Sequence, residues 1–123
     1  DITGFGLLGH AMKMADAAGV TARIQAETVP VLRGARELAD AGCIPCAAFK
    51  NLDFVESNAR FAGDLDHGLN MLLLDAQTSG GLLIAVAADR AEDMAAELRD
   101  RDCAAAAVIG EITARAGYAV DAH

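Results

Sequence analysis

Two stretches hold the side chains best suited to chemistry. One is Asp1-Ile2-Thr3-Gly4-Phe5-Gly6-Leu7-Leu8-Gly9-His10, the other Asp75-Ala76-Gln77-Thr78-Ser79-Gly80-Gly81 followed by Leu82 to Val86. Each joins polar groups to glycines, which let a backbone come close to a ligand. Thr78, Ser79, Gly80 and Gly81 supply hydroxyls and successive N–H groups, the material of an anion nest. The same residues also make an ordinary turn before a strand. They lack the lysine of a phosphate-binding P-loop. Gly4, Gly6 and Gly9 have the spacing of a dinucleotide fingerprint, but no strand precedes them and only Glu27 offers an acidic partner downstream. Glycines chosen for packing at a helix start explain them equally well. Asp1 could give a carboxylate to Mg²⁺, which takes one or two such ligands and leaves its other positions to water and phosphate oxygens. On the residue alone, a surface aspartate near a chain end is the simpler reading.

The other reactive residues fit structural roles. Cys43-Ile44-Pro45-Cys46 is a C-x-x-C motif, but Cys103 is the only other cysteine and a structural zinc site needs four ligands. The motif also follows a helix stop instead of opening a helix after a strand. Both cysteines are therefore expected to be partly buried small apolar groups. His10 falls on the polar side of the first helix, as a solvated or capping residue. His67 and His123 stand apart from it, and none of the three is assigned a ligand. Asp100 and Asp102 with Arg99 and Arg101 read as a solvated helix end.

The elements that would carry the two stretches follow from periodicity. Leu7, Leu8, Ala11, Met12, Ala15 and Ala18 recur at helical spacing, with Gly19 as the stop. Val20 to Ala26 alternates like a half-buried strand. Leu32 to Ala41 reads as a helix with Leu38 inward, ended by Gly42. Cys43 to Gly63 has no clear period. Asp64 to Leu74 reads as a helix, and Leu82 to Ala87 as a strand anchored in the core. Asp89 and Glu92 form a capping box before a helix that buries Ala91, Met94, Ala95 and Leu98. Ala104 to Ile112 reads as a buried strand. Arg115-Ala116-Gly117 is a turn, and Tyr118 to Val120 a short edge strand. Interleaved strands and helices with hairpin-like pieces at the end predict an α+β domain, a mixed sheet with packed helices.

Composition narrows the function. The chain has 123 residues, enough for one domain, and 54% hydrophobic content, enough for a core. A net charge of -8 argues against nucleic acid or an anionic membrane as partner. Any phosphate ligand would then need metal or backbone N–H groups. No apolar run reaches the roughly 18 residues of a membrane span, and no signal peptide is visible. Three cysteines in a chain with a good core suggest a reducing compartment. A start at Asp1, inside a motif, reads as a fragment: a domain cut from a longer protein or a product of proteolysis.

Over essentially its whole length, residues 1–123, the sequence resembles the C-terminal domain of the selenophosphate synthetase (selenide, water dikinase) family. The resemblance is carried by Asp1 to His10, Asp75 to Val86 and Gly110-Glu111-Ile112. The wider superfamily includes aminoimidazole ribonucleotide synthetase, thiamine-monophosphate kinase and a hydrogenase maturation protein, and implies their shared fold. The resemblance implies an ATP-dependent, homodimeric, cytoplasmic enzyme that makes selenophosphate, AMP and orthophosphate from ATP, water and hydrogen selenide. No catalytic residue is expected here: the nucleophilic Cys or selenocysteine, a Lys and most Mg²⁺-binding aspartates would lie in an N-terminal domain. Asp1 matches the Mg²⁺ ligand contributed from this side. Thr3, Gly4 and Gly6 would lie beside the phosphates, and Thr78 to Gly81 would face the cleft. One departure is that Pro45-Cys46-Ala47-Ala48 and then Asn51 stand where many members have Pro-Gly-Gly-Thr and then Asn. The alternatives are another ATP-dependent member of the superfamily, a small-molecule kinase or ring-closing synthetase, and a non-catalytic interaction or dimerisation module.

Overall fold

The computed structural model describes residues 1–123 and shows an α+β domain built on a four-stranded mixed sheet. Helix α1 (Gly6–Ala18) leads through Gly19, at φ 67°, into strand β1 (Val20–Ile24). A short 3-10 turn at Ala26–Thr28 takes over where the strand was expected to continue. Helices α2 (Ala35–Asp40) and α3 (Cys46–Val55), strand β2 (Ala59–Phe61) and helix α4 (His67–Leu73) follow. Helix α5 (Ala91–Asp100) and strands β3 (Gly110–Ala114) and β4 (Val120–Ala122) complete the chain. The sheet order is β2-β4-β1-β3. β4 runs parallel to both β2 and β1, and β3 runs antiparallel to β1.

The core lies between this sheet and the helices α1, α3 and α4. Leu8, Met12, Val55, Leu69, Met71 and Val120 fill it, with alanines at the closest approaches. Asp66 caps α4, its Oδ1 accepting the Leu69 N–H at 2.8 Å. That satisfies a donor that the first helical turn leaves without a partner.

Several expectations need correction. β4 is an interior strand, not an edge: its backbone lies between β2 and β1, and Ala119 to Ala122 are buried. β3 begins at Gly110 and is largely exposed, with Ile112 at 53%. β1 separates it from β4, so the two final strands form no hairpin. Leu82 to Ala87 forms no strand. Leu82 is 69% exposed, and none of the backbone groups of residues 82–86 bonds to another backbone group. Leu38 is exposed, and its neighbour Ala39 is the residue that α2 buries. No side-chain cap starts α5; a 3-10 turn at Ala88–Arg90 leads into it, so the capping box is not made. On its apolar stripe only Ala95 is fully buried. Thr21 of β1 is buried, and its hydroxyl donates to the Tyr118 carbonyl at 2.6 Å and accepts the Ala116 N–H at 3.0 Å. A hydroxyl satisfied in both roles can be buried at little cost.

Candidate functional site

The fold joins the two glycine-containing loops. Ile2 N–H donates to Gly81 O at 3.0 Å, Gly80 N–H to Ile2 O at 3.2 Å, and Gln77 N–H to Thr3 O at 3.0 Å. The side chain of Ile2 is buried and pins the first loop to the body, leaving Asp1, Thr3 and Gly4 exposed. Thr78, Ser79, Gly80 and Gly81 are exposed beside them.

Two glycines are required by this arrangement. Gly6 has φ 67°, and a Cβ there would lie 2.7 Å from the carbonyl carbon and oxygen of Leu74. A Cβ at Gly80 would lie 2.7 Å from Ile2 O. Either side chain would force the loops apart. At Gly4 a Cβ would meet no atom within 4 Å, so nothing in the packing demands glycine there.

Asn51 fastens the junction. Its Nδ2 donates to Gly4 O at 2.9 Å and to Leu74 O at 2.8 Å, one carbonyl from each side. The residue is 6% exposed, and its bond to Leu74 O is buried. Asn51 lies on α3, in the segment without a clear period. Its signals in the sequence were that it forms, with Lys50, the one polar centre of that segment, and that it follows Pro45 as in the resemblance. His10 is the second residue whose role was missed. Its Nε2 accepts the Thr3 N–H at 3.1 Å and lies 3.0 Å from Thr3 Oγ1. Its ring packs edge-on against Phe5, which in turn lies against Phe54 of α3.

The chain gathers no group of three or more His, Cys, Asp or Glu side chains that could hold a metal ion. Asp1 is exposed and makes no hydrogen bond or ion pair, so it can act as one ligand of a site completed by groups from elsewhere. Asp75 is engaged locally, accepting from Gln77 Nε2 at 3.1 Å.

The remaining candidates lie outside the junction. Cys43, Cys46 and Cys103 are free and exposed, not partly buried, and Cys46 opens α3. His67 opens α4. The sheet carries a charged cluster in which Arg60 holds Asp121 through two hydrogen bonds of 2.9 and 2.8 Å, with Arg23 3.5 Å away. Burial pushes the Asp121 carboxyl up, but the hydrogen bonds and charge of Arg60, helped by Arg23, outweigh it and hold the group below the usual carboxylate range. A cleft of about 260 Å³ lined by Arg23, Gln25, Val108, Gly110, Glu111 and His123 adjoins that cluster and includes none of the loop residues.

A family model described as AIR synthase related protein, C-terminal domain, matches residues 1–123. A selenide, water dikinase of Porphyromonas gingivalis (strain ATCC BAA-308 / W83) is 51% identical over 123 residues, which is all of this chain and 33% of that protein. Proteins of the same name from Clostridioides difficile (strain 630) and Burkholderia pseudomallei (strain K96243) are 39% and 40% identical over 112 residues. Those matches take in 91% of this chain and 32% of each relative. The chain thus spans about a third of the length of the curated relatives it matches.

Proposed function

The chain belongs to the family of AIR synthase related protein C-terminal domains, and we propose that it serves as the C-terminal domain of a selenide, water dikinase. The activity is the ATP-dependent formation of selenophosphate, AMP and orthophosphate from hydrogen selenide and water. Membership of the family supports the domain assignment, and the named relatives support the reaction. The observation that carries the reading is the backbone pairing of the two glycine loops with Asn51 bound to both. It leaves the Asp1 carboxylate and the Thr3, Thr78 and Ser79 side chains exposed along one junction.

The chain's own residues would bind and orient the nucleotide. N–H groups and hydroxyls at the junction would face phosphate oxygens, and the tight backbone contacts at Gly6 and Gly80 would keep those donors in fixed positions. Asp1 would hold one face of a Mg²⁺ ion, which when bound neutralises triphosphate charge in a protein whose net charge is -8. The other ligands and the nucleophile belong to an N-terminal domain. Homodimer formation and a cytoplasmic setting are part of the same proposal. No helix is long and apolar enough to cross a membrane.

A second reading comes from the breadth of the family model, whose description names AIR synthase related proteins and no selenium chemistry. It is another ATP-dependent reaction, a small-molecule phosphorylation or ring closure. ³¹P NMR of the full-length enzyme with ATP, Mg²⁺ and selenide under anaerobic conditions separates the two. Selenide-dependent selenophosphate with AMP as co-product, lost in Asp1→Asn, is the expected result. Formation of ADP, or turnover indifferent to selenide, would favour the second reading. The 123-residue chain by itself is expected to give no turnover, because a lone Asp1 cannot assemble the metal site.

A further inference from the structure

Residues 82–86 have a strand's side chains without a strand's bonds. Leu83 packs against the core, while Leu82, Ile84 and Val86 are exposed. That is the alternation of a half-buried strand. Yet the backbone of these residues bonds to no other backbone group. Unpaired N–H and C=O groups along such a run are a template for a second strand.

The hydrogen bonds at Ile2 identify that strand. Ile2 N–H donates to Gly81 O, Gly80 N–H donates to Ile2 O, and Gln77 N–H donates to Thr3 O. Residue numbers rise along one segment as they fall along the other, so the two run antiparallel. Gly80 and Gly81 together oppose Ile2, as the two residues of a bulge do. Beyond a bulge the ladder resumes, with a hydrogen-bonded pair at every second residue. Counted from Ile2 and Gly81, the next pair joins Leu83 to the residue directly before Asp1 in a longer chain. The pair after that joins Ala85 to the third residue before Asp1. Asp1 itself then opposes Leu82, and the second residue before it opposes Ile84.

The faces agree with this register, because residues directly opposed in a ladder share a face. Ile2 is buried and Leu83 packs on the core, so both belong to the inner face. Asp1, Leu82 and Ile84 are exposed, and the register puts all three on the outer face.

We propose that the residues directly upstream of Asp1 in the full-length protein form a strand antiparallel to Leu82–Val86. The family is one of C-terminal domains, and this chain is 33% of a relative that it matches throughout. The upstream segment is bonded to Asp1 at the required register, so it pairs without the loss of freedom that a separate chain would suffer. Pairing on both sides of Asp1 also holds the backbone that presents its carboxylate. The proposal rests on the chain being a C-terminal domain and is independent of the selenium chemistry.

Amide hydrogen exchange of the full-length enzyme, resolved by residue, tests the pairing. The amides of Leu83 and Ala85 should exchange at least about 100-fold more slowly than unpaired amides. Free exchange at both would overturn the proposal, and this readout needs no variant. A cysteine pair then identifies the partner. Ile84→Cys and a cysteine at the second residue before Asp1 would face each other across a non-hydrogen-bonded pair, with Cα atoms about 4.5 Å apart, within disulfide range. Air oxidation should link them within one chain, as read by peptide mapping. The same upstream cysteine with Ala85→Cys, on the opposite face, should stay unlinked. Equal linking of both pairs, or none at Ile84→Cys in a folded variant, would overturn the register and the proposal. A link formed only between two chains would make a second copy the occupant and overturn it as well.

Discussion

Residues 82–118 are richer in apolar side chains than the rest of the chain, yet between Leu82 and Tyr118 only Ala95 is buried. The body formed by residues 1–81 and 119–123 holds every other buried residue. It also contains both glycine loops up to Gly81. The difference lies in what each part can pair with. In the body, β1, β2 and β4 bond to one another, and three helices cover them. Beyond Gly81 the backbone of residues 82–86 makes no such bonds, and much of the apolar content is alanine, which removes little surface from water when packed. The protein accordingly exposes 7396 Å², against roughly 6,200 Å² for a compact chain of its mass. Apolar content becomes core only where the backbone is also satisfied.

Substitutions in the two parts should therefore behave differently. The largest effect is expected for Leu8→Ala, at the centre of the body, which should lower stability by about 2–5 kcal/mol in urea denaturation. Leu82→Ala, with its side chain in water, should change it by less than about 0.5 kcal/mol. Equal effects would mean that residues 82–87 join the core in solution.

Next is Asp121→Asn, which weakens the charged hydrogen bonds from Arg60 between β4 and β2 and should cost about 1.5–3 kcal/mol near neutral pH. The sign of its pH dependence follows from the lowered carboxyl. The Asp121 contribution is fully present above the ordinary carboxylate range and is lost as pH falls through the depressed folded value. The gap between wild type and Asp121→Asn should thus close as the denaturation series is taken below about pH 4. A gap independent of pH would show that Asp121 acts through shape and not charge.

Asn51→Leu tests the junction. It leaves the carbonyls of Gly4 and Leu74 without their donor and should cost about 1–3 kcal/mol. Amide shifts should move in both loops while those of residues 82–118 stay in place. The smallest effect is expected for Ile84→Thr, within about 0.5 kcal/mol, with faster hydrogen exchange at residues 82–86 than in β4 in either protein. Protection of residues 82–86 comparable to β4 would erase the contrast between the two parts.

The sequence by itself determined the α+β class, helix α1 with its Gly19 stop, the presence of helix α4 and the two glycine loops. All of these are local signals: a 3.6-residue period, a residue that tolerates positive φ, and short hydroxyl-glycine runs. Only the tertiary structure decided what those signals met. It put β4 inside the sheet, because a three-residue strand has no period long enough to show how many neighbours it gains. It left Leu82 to Ala87 exposed, because an apolar run states what could be buried and not what will cover it. It also joined the loops through Asn51, whose hydrogen bonds to the carbonyls of Gly4 and Leu74, far away in sequence, exist only once α3 packs against the junction.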